Sequence, residues 1–160
     1  MAGSTLIRDI RIVNEGSIRE GSVLIENGII SKVMLRSDPG YEAAVRQAGA
    51  SAEEILGNNT DALLLPGVID DQVHFREPGA TAKGCIASES AAAVLGGTTS
   101  FMDMPNNNPP ATTLSSLEEK YSTAARDSYA NYSFYIGATN NNIEELRSAA
   151  PRRICGIKVF

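Results

Sequence analysis

From Leu63 to the end of the chain, apolar strand-like segments alternate with helix-like segments. Strands recur at intervals of roughly 25 to 35 residues, the repeat of βαβ units in a parallel sheet. This order predicts an α/β fold. The predicted strands are Leu63–His74, Thr98–Met104, Asn131–Gly137 and Ile154–Phe160, and the predicted helices are Ile86–Leu95, Leu117–Ser128 and Ile143–Ala149.

Short local signals predict where these helices begin and end. Glycine after an apolar helix favours termination, and Ser or Asn followed three residues later by Glu favours initiation. These signals are Gly96-Gly97 after the first helix, Ser115 with Glu118 at the second, and Asn141 with Glu144 at the third.

Four strands and three helices amount to the first half of a (β/α)₈ TIM barrel, which needs eight of each and about 250 residues. The chain has 160 residues. A half barrel has an open parallel edge, and such edges promote pairing or aggregation unless another segment covers them. We therefore expect a truncated chain or a fragment, with residues 63–160 forming the incomplete barrel.

Residues 1–62 follow a different pattern, which predicts a small antiparallel β unit. Asn27-Gly28 between two apolar runs is a strong hairpin signal, because both residues tolerate positive φ. The predicted elements are strands Leu6–Val13, Ser22–Ile25 and Ile29–Val33, a helix Tyr41–Gln47, a strand Glu53–Leu56 and a turn Gly57–Thr60.

Charge and composition restrict the partners. The net charge is −5, the hydrophobic fraction is 42%, and Lys and Arg form no run. These features argue against nucleic acid or an anionic membrane and favour a small-molecule ligand or another protein. The N-terminus lacks the features of a signal peptide and no segment is apolar enough to span a membrane, so we expect a cytoplasmic protein. Cys85 and Cys155 are expected to be reduced thiols.

The segment DDQVHFREPG, residues 70–79, holds the only histidine of the chain, with three carboxylates and an arginine, at the end of a predicted strand. Strict alternation would place Gln72, His74 and Arg76 on one face together with Asp70. Such a face at a barrel mouth suits metal ligation by His74, oriented by Asp70, and clamping of a carboxylate by Arg76. A histidine that is merely hydrogen-bonded at a strand end is the simpler alternative.

Three motifs resemble the dihydroorotases of the amidohydrolase superfamily. The first strand of that family reads IDxHxHxREPG, the second carries GGxTxxxDMPNxxP, seen here as GGTTSFMDMPNNNP, and the fourth carries GxKxF, seen here over residues 156–160. Residues 6–66 resemble the N-terminal part of the family's accessory β-sandwich. The REPG and MPN motifs are specific, whereas GxKxF alone is not.

The resemblance implies a site for each motif. His74 would be a Zn²⁺ ligand, Arg76 and Asn106 would hold the substrate carboxylate, and Lys158 would be carbamylated to bridge two Zn²⁺ ions. The reaction would be the reversible hydrolysis of dihydroorotate to N-carbamoyl-aspartate in pyrimidine biosynthesis. The later histidine ligands and the general-base aspartate would lie after residue 160, so no catalytic residue is assigned and the chain alone is expected to be inactive.

One position departs from the family pattern. Gln72 stands where the first metal histidine is expected, and an amide oxygen is a poorer Zn²⁺ ligand than imidazole. Two alternatives therefore stay open. The chain could come from an allantoinase-like or hydantoinase-like ring amidohydrolase, or from a non-catalytic dihydroorotase-like scaffold, for instance for a carbamoyltransferase. Homo-oligomerisation is compatible with all three.

Overall fold

A computed structural model describes residues 3–57 and 61–160 and divides the chain into two compact units, the first ending at Pro66 and the second running from Gly67 to Phe160. Of the turn predicted at Gly57–Thr60, residues 58–60 lie outside the described residues. No helix in the described part of the chain is long and apolar enough to span a membrane.

The first unit is a mixed sheet with one helix on it. Its strand order is β3-β2-β1-β4, and β5 pairs with the far end of β1. Leu6, Met34, Tyr41 and Val45 form its buried core. The elements are β1 (Ser4–Asn14), β2 (Ser17–Glu26), β3 (Ile29–Leu35), α1 (Tyr41–Gly49), β4 (Glu53–Leu56) and β5 (Leu63–Leu64).

Two tight hairpins build this sheet. Asn27 and Gly28 join β2 to β3 with φ of 54° and 77°, a conformation that Asn tolerates and that glycine adopts freely because it has no Cβ. Glu15 and Gly16 join β1 to β2 in the same way, with φ of 48° and 69°. Because the Glu15-Gly16 pair is a weaker turn signal, the predicted strand at Ser22 began five residues too late: β2 begins at Ser17.

The second unit is a parallel sheet in the order β6-β7-β8-β9, with α2 packed on β7 and α3 on β8. Its buried core combines three phenylalanines with aliphatic side chains, and the rings of Phe75 and Phe101 lie 4.4 Å apart. The elements are β6 (Val68–Val73), α2 (Ile86–Leu95), β7 (Thr98–Asp103), α3 (Leu114–Asp127), β8 (Asn131–Gly137), α4 (Ile143–Ser148) and β9 (Gly156–Lys158).

The single strand predicted over Leu63–His74 is wrong. Leu63–Leu64 pairs with β1 in the first sheet, and Val68–Val73 pairs with β7 in the second. Pro66 has no backbone N–H to donate, and Gly67 lies so close to Thr99 that a Cβ there would meet Thr99 Oγ1 at 1.9 Å. The Pro66-Gly67 turn thus separates two apolar segments that belong to different sheets.

The predicted cap of α3 was also wrong. The helix begins at Leu114 rather than Leu117, because Thr113 and Ser116 form a reciprocal capping box in which each side chain accepts the other's backbone N–H at 3.1 Å. This motif satisfies two free helix donors.

The cap predicted for α4 does not form either. No side chain caps α4 within the described residues. Asn142 instead ties the preceding loop together, since its Oδ1 accepts from Thr139 N and its Nδ2 donates to Gly137 O, both at 2.8 Å. Helix α4 contributes a hydrogen bond to the N-terminus of the adjacent helix α3, because Leu114 N donates to Glu145 Oε2.

Candidate active site at the strand ends

The sequence-predicted site residues follow the carboxyl ends of parallel strands. His74 and Arg76 follow β6, Asn106 follows β7, and Lys158 ends β9. The carboxyl ends of parallel strands lie at the same edge of the sheet, where active sites of such folds are found. The sheet therefore carries all four residues to one edge.

A β-bulge interrupts β6 immediately before the histidine. Asp70 is paired with Phe101 and Val73 with Asp103, so Asp71 and Gln72 together face the single residue Met102. A bulge changes the alternation of side chains along a strand. The predicted uninterrupted alternation from Asp70 to Arg76 is therefore wrong, and Gln72 lies within the bulge rather than in a regular ladder.

His74 is oriented by the second strand's loop. Its Nδ1 lies 2.8 Å from Asn106 Oδ1. The amide oxygen can only accept, so Nδ1 carries the proton and the unprotonated nitrogen of the neutral ring is Nε2. The arrangement presents one imidazole nitrogen in the form that binds a metal ion.

Asp70 does not orient His74, contrary to the sequence interpretation. Its Oδ1 accepts the backbone N–H of Gln72 at 3.1 Å. This local bond spans the bulge, so Asp70 stabilises the irregular backbone there. Asn106 takes the orienting role that was assigned to Asp70.

Arg76 lies in a tightly held loop. It is a half-buried residue with φ of 68°, a left-handed conformation that costs energy in a non-glycine residue. Its carbonyl accepts from Ala80 N, and the next residue, Glu77, accepts Ile86 N with its carboxylate at 2.7 Å at the start of α2. In the described part of the chain no carboxylate forms an ion pair with the Arg76 guanidinium.

Gly79 closes the same loop against the loop of the second strand. Its φ is +88°, and a Cβ at this position would meet Asn108 O at 1.7 Å. Asn108 N donates to Pro78 O at 3.2 Å, so the two loops are joined backbone to backbone. Only glycine fits this contact.

A buried ion pair lies directly behind the two loops, and the sequence analysis missed it. Lys120 of α3 and Asp103 at the end of β7 are both 0% exposed, with Nζ and Oδ2 2.7 Å apart. The second oxygen of Asp103 accepts Phe75 N at 3.0 Å. Burial lowers the pKa of Lys120, and the facing Asp103 carboxylate offsets part of that effect.

A sequence signal for this pair exists. Lys120 lies three residues after Leu117 and four before Ala124, on the face of α3 that is otherwise apolar and buried. A charged residue at a core position of an amphipathic helix requires a buried partner of opposite charge. Asp103, at the carboxyl end of β7, is that partner.

Lys158 is not brought into contact with His74. Its strand, β9, is separated from β6 by β7 and β8, and its own carbonyl accepts Ala138 N at 2.8 Å. Across residues 3–57 and 61–160, no three side chains from His, Cys, Asp and Glu converge to hold a metal ion. The described residues thus present single metal-binding groups rather than a complete set.

One well-formed pocket lies away from these strand ends. It has a volume of about 260 Å³ between α3 and the segment around α4, with Leu117, Tyr121 and Arg153 in its wall. It shares no residue with the candidate site.

Comparison with known proteins identifies the family. A family model described as dihydro-orotase-like matches residues 61–157. A dihydroorotase from Methanosarcina acetivorans is 38% identical over 141 residues, covering 88% of this chain and 28% of that protein. An allantoinase from Streptomyces avermitilis is 33% identical over 156 residues, covering 97% of this chain and 33% of that protein.

A solved structure has the same fold over nearly the whole of this chain. The L-hydantoinase (dihydropyrimidinase) from Arthrobacter aurescens superposes with a TM-score of 0.80 at 24% identity, over 98% of this chain and 32% of that structure. The predicted fold class, the first part of a (β/α)₈ barrel preceded by a β unit, is therefore confirmed. The chain belongs to the dihydroorotase-like family, and it spans about a third of the length of the relatives it matches.

Proposed function

We propose that these residues form the carboxylate-binding side and one metal-binding corner of a dihydroorotase site. The reaction would interconvert dihydroorotate and N-carbamoyl-aspartate. The observation that carries this proposal is the position of Arg76, two residues after His74 and free of any described carboxylate partner. A guanidinium held there suits a ring substrate that bears a carboxylate, because it binds such a group through two parallel hydrogen bonds.

Asn106 supports both halves of the site. Its Oδ1 accepts from His74 Nδ1, and its Nδ2, which has no hydrogen-bond partner among the described residues, would donate to a substrate carboxylate. The same side chain would thus hold the histidine tautomer and contribute to substrate binding. This extends the role that the family resemblance implies for it.

The donor set fits a zinc ion in part. His74 would bind it through Nε2, a carbamylated Lys158 would supply oxygen ligands, and Gln72 would at most contribute an amide oxygen. Zinc in such a site supplies a hydroxide at neutral pH and polarises the carbonyl under attack. The role of the protein residues is to orient the imidazole and to hold the substrate carboxylate away from the reacting amide.

We expect the 160-residue chain alone to show no turnover. One imidazole, one lysine and one amide do not complete a two-metal ligand set, and none of the described residues is assigned as general base. Turnover of carbamoyl-aspartate by the purified chain, abolished both by a chelator and by His74→Ala, would contradict this expectation.

The cytoplasmic location and the homo-oligomerisation expected from the sequence stay predictions.

Binding of a matched pair of rings tests the substrate assignment. Dihydrouracil is dihydroorotate without the carboxylate, and the ring signals of the single histidine report binding of either compound. We expect the chain to prefer dihydroorotate by about tenfold or more, since a charge-assisted bidentate contact contributes roughly 1.5–3 kcal/mol.

Two variants at one position separate charge from geometry. Arg76→Ala should abolish the preference for dihydroorotate. Arg76→Lys should retain only part of it, because an ammonium keeps the charge but lacks the planar pair of N–H donors that binds a carboxylate bidentately. Equal binding of both rings by the unmodified chain would overturn the dihydroorotase assignment.

The second candidate is an allantoinase-like or hydantoinase-like ring amidohydrolase, favoured by the 33% identity to an allantoinase. It predicts equal binding of the two rings, or a preference for the uncharged one. The scaffold alternative is favoured by Gln72 alone, and it predicts that zinc binds no more tightly to the unmodified chain than to His74→Ala.

A further inference from the structure

We propose that Lys120 is a positioning residue for the candidate site: it joins the loop after β6 to the loop after β7, and thereby holds the His74–Asn106 pair. The inference deepens the proposed function, on which it rests for the metal-binding role of His74. The hydrogen-bonding state of His74 itself is independent of any activity.

All three N–H groups of the lysine ammonium are used. Nζ lies 2.7 Å from Asp103 Oδ2, 2.9 Å from Asn107 Oδ1 and 3.1 Å from the carbonyl oxygen of Met104. The side chain is fully buried, so no water replaces a missing contact. An ammonium has three donors, and this site provides three acceptors, all from the loop and strand end of β7.

Two of the residues that accept from Lys120 also form hydrogen bonds with the loop after β6. Asp103 uses its other oxygen to accept Phe75 N at 3.0 Å, and Asn107 uses its Nδ2 to donate to the carbonyl of Glu77 at 2.7 Å. The loop after β6 is thus fixed at two points, one on each side of Arg76. Both points depend on side chains that Lys120 holds.

The two anchored residues are the chain neighbours of the histidine pair. Phe75 follows His74, and Asn107 follows Asn106. His74 is exposed and Asn106 is half-buried, so the single 2.8 Å hydrogen bond between their side chains competes with water. Its persistence requires that both backbones be fixed, and the buried lysine does this from behind.

The single histidine makes this testable on the 160-residue chain. In ¹⁵N-labelled protein at a fixed pH near 8.5, where an ordinary imidazole is neutral, two-bond correlation spectra show which ring nitrogen carries the proton. We expect the unmodified chain to show predominantly the Nδ1–H form. In Lys120→Met, a variant of similar length without donors, that population should fall by about half or more, because water then competes for the ring.

A control on the same helix separates positioning from general packing. Leu117→Ala removes buried apolar volume from α3 without touching any hydrogen bond of the network. It should lower stability and leave the histidine tautomer unchanged. A tautomer shift in Leu117→Ala as large as in Lys120→Met would overturn the proposal.

A milder variant covers the case in which Lys120→Met does not fold. Asn107→Ala keeps the Lys120–Asp103 pair and the Asp103–Phe75 bond but removes the Asn107 contacts with Lys120 Nζ and with the Glu77 carbonyl, so it should give a smaller shift of the tautomer in the same direction. Folded variants that keep the Nδ1–H form of His74 unchanged would contradict the inference. Loss of carboxylate preference in Arg76→Ala bears on the proposed function alone, so the two failures are distinguishable.

Discussion

Each unit of the molecule pairs a poorly exposed carboxylate with a cation, and the two pairs differ in how exposed the cation is. In the first unit, Asp9 Oδ1 accepts from Arg36 at 2.7 Å and from Tyr41 Oη at 2.9 Å, and the Arg36 side chain is 50% exposed. In the second unit, Asp103 is paired with Lys120, which is 0% exposed.

The difference shows what each pair can do. A half-exposed guanidinium that loses its partner is solvated by water, so the Asp9 pair can be removed at little cost. A buried ammonium has no such alternative, and neither does its carboxylate. The unit that carries the candidate site therefore uses the pair that cannot be exchanged for solvent, at the point where two loops must be held together.

The largest expected effect comes from removing the buried cation. Lys120→Met should lower the free energy of unfolding of the second unit by about 3–5 kcal/mol, because Asp103 is left as an uncompensated buried charge. Arg36→Met is the matched variant in the first unit and should cost far less. Denaturant unfolding followed by tyrosine fluorescence measures both, since the chain has five tyrosines and no tryptophan.

Lys120→Met and Arg36→Met together test whether exposure of the cation explains the difference between the two units. If Arg36→Met destabilised the protein as much as Lys120→Met, exposure of the cation would not be what separates the two units. The double variant Lys120→Met with Asp103→Asn should recover part of the loss, because the remaining buried charge is removed.

A second pair of variants compares backbone constraints in the two units. Gly28→Ala, at φ +77° with no atom near the new Cβ, should cost about 1–2 kcal/mol from the left-handed conformation alone. Gly79→Ala adds the clash with Asn108 O and should cost at least about 3 kcal/mol, like other changes that force packed backbone apart. Equal costs in thermal unfolding would show that the contact between the two loops is not rigid.

The smallest effect is a pH dependence of the first unit. Burial raises the pKa of Asp9, but hydrogen bonds from Tyr41 and Arg36 and the nearby Arg36 and Arg8 charges outweigh it and hold the pKa below its usual value of 3.8. The stabilisation is therefore complete above that value and is lost as the pH falls from there through the folded pKa. Asp9→Asn should flatten this acid-side loss in unfolding curves between about pH 5 and 2. An unchanged pH profile would contradict the assignment.

The order of elements could be predicted from the sequence because it depends on local periodicity and turn residues. Asn27-Gly28 and Gly96-Gly97 are examples in which a few residues determine the outcome. The break at Pro66 had a local signal, because Pro66-Gly67 marks a turn, whereas the different sheets that Leu63 and Val68 join are distinguished only by tertiary pairing.

The sequence indicates which residues are candidates for the site, but it does not indicate the hydrogen bonds between them. His74, Arg76 and Asn106 are recognisable by chemistry and motif, whereas the His74–Asn106 bond joins residues 32 positions apart. The assignment of Asp70 failed because a bulge changes side-chain direction without any change in residue type. Lys120 was detectable, because a charge among the apolar positions of a helix is unusual, and its partner was not.

The bulge at Asp71 and Gln72 also sets how insertions and deletions would act on this protein. Deleting one of these two residues would give an ordinary ladder in which Val73 still faces Asp103, so the segment after the bulge would keep its register and His74 its face of the sheet. A change of length by one residue at the bulge would thus alter the sequence spacing between Asp70 and His74 while leaving the ladder on both sides of it in place. Alignments across this strand therefore need to count residues from His74 backwards, since the spacing between two motif letters does not define the direction of their side chains.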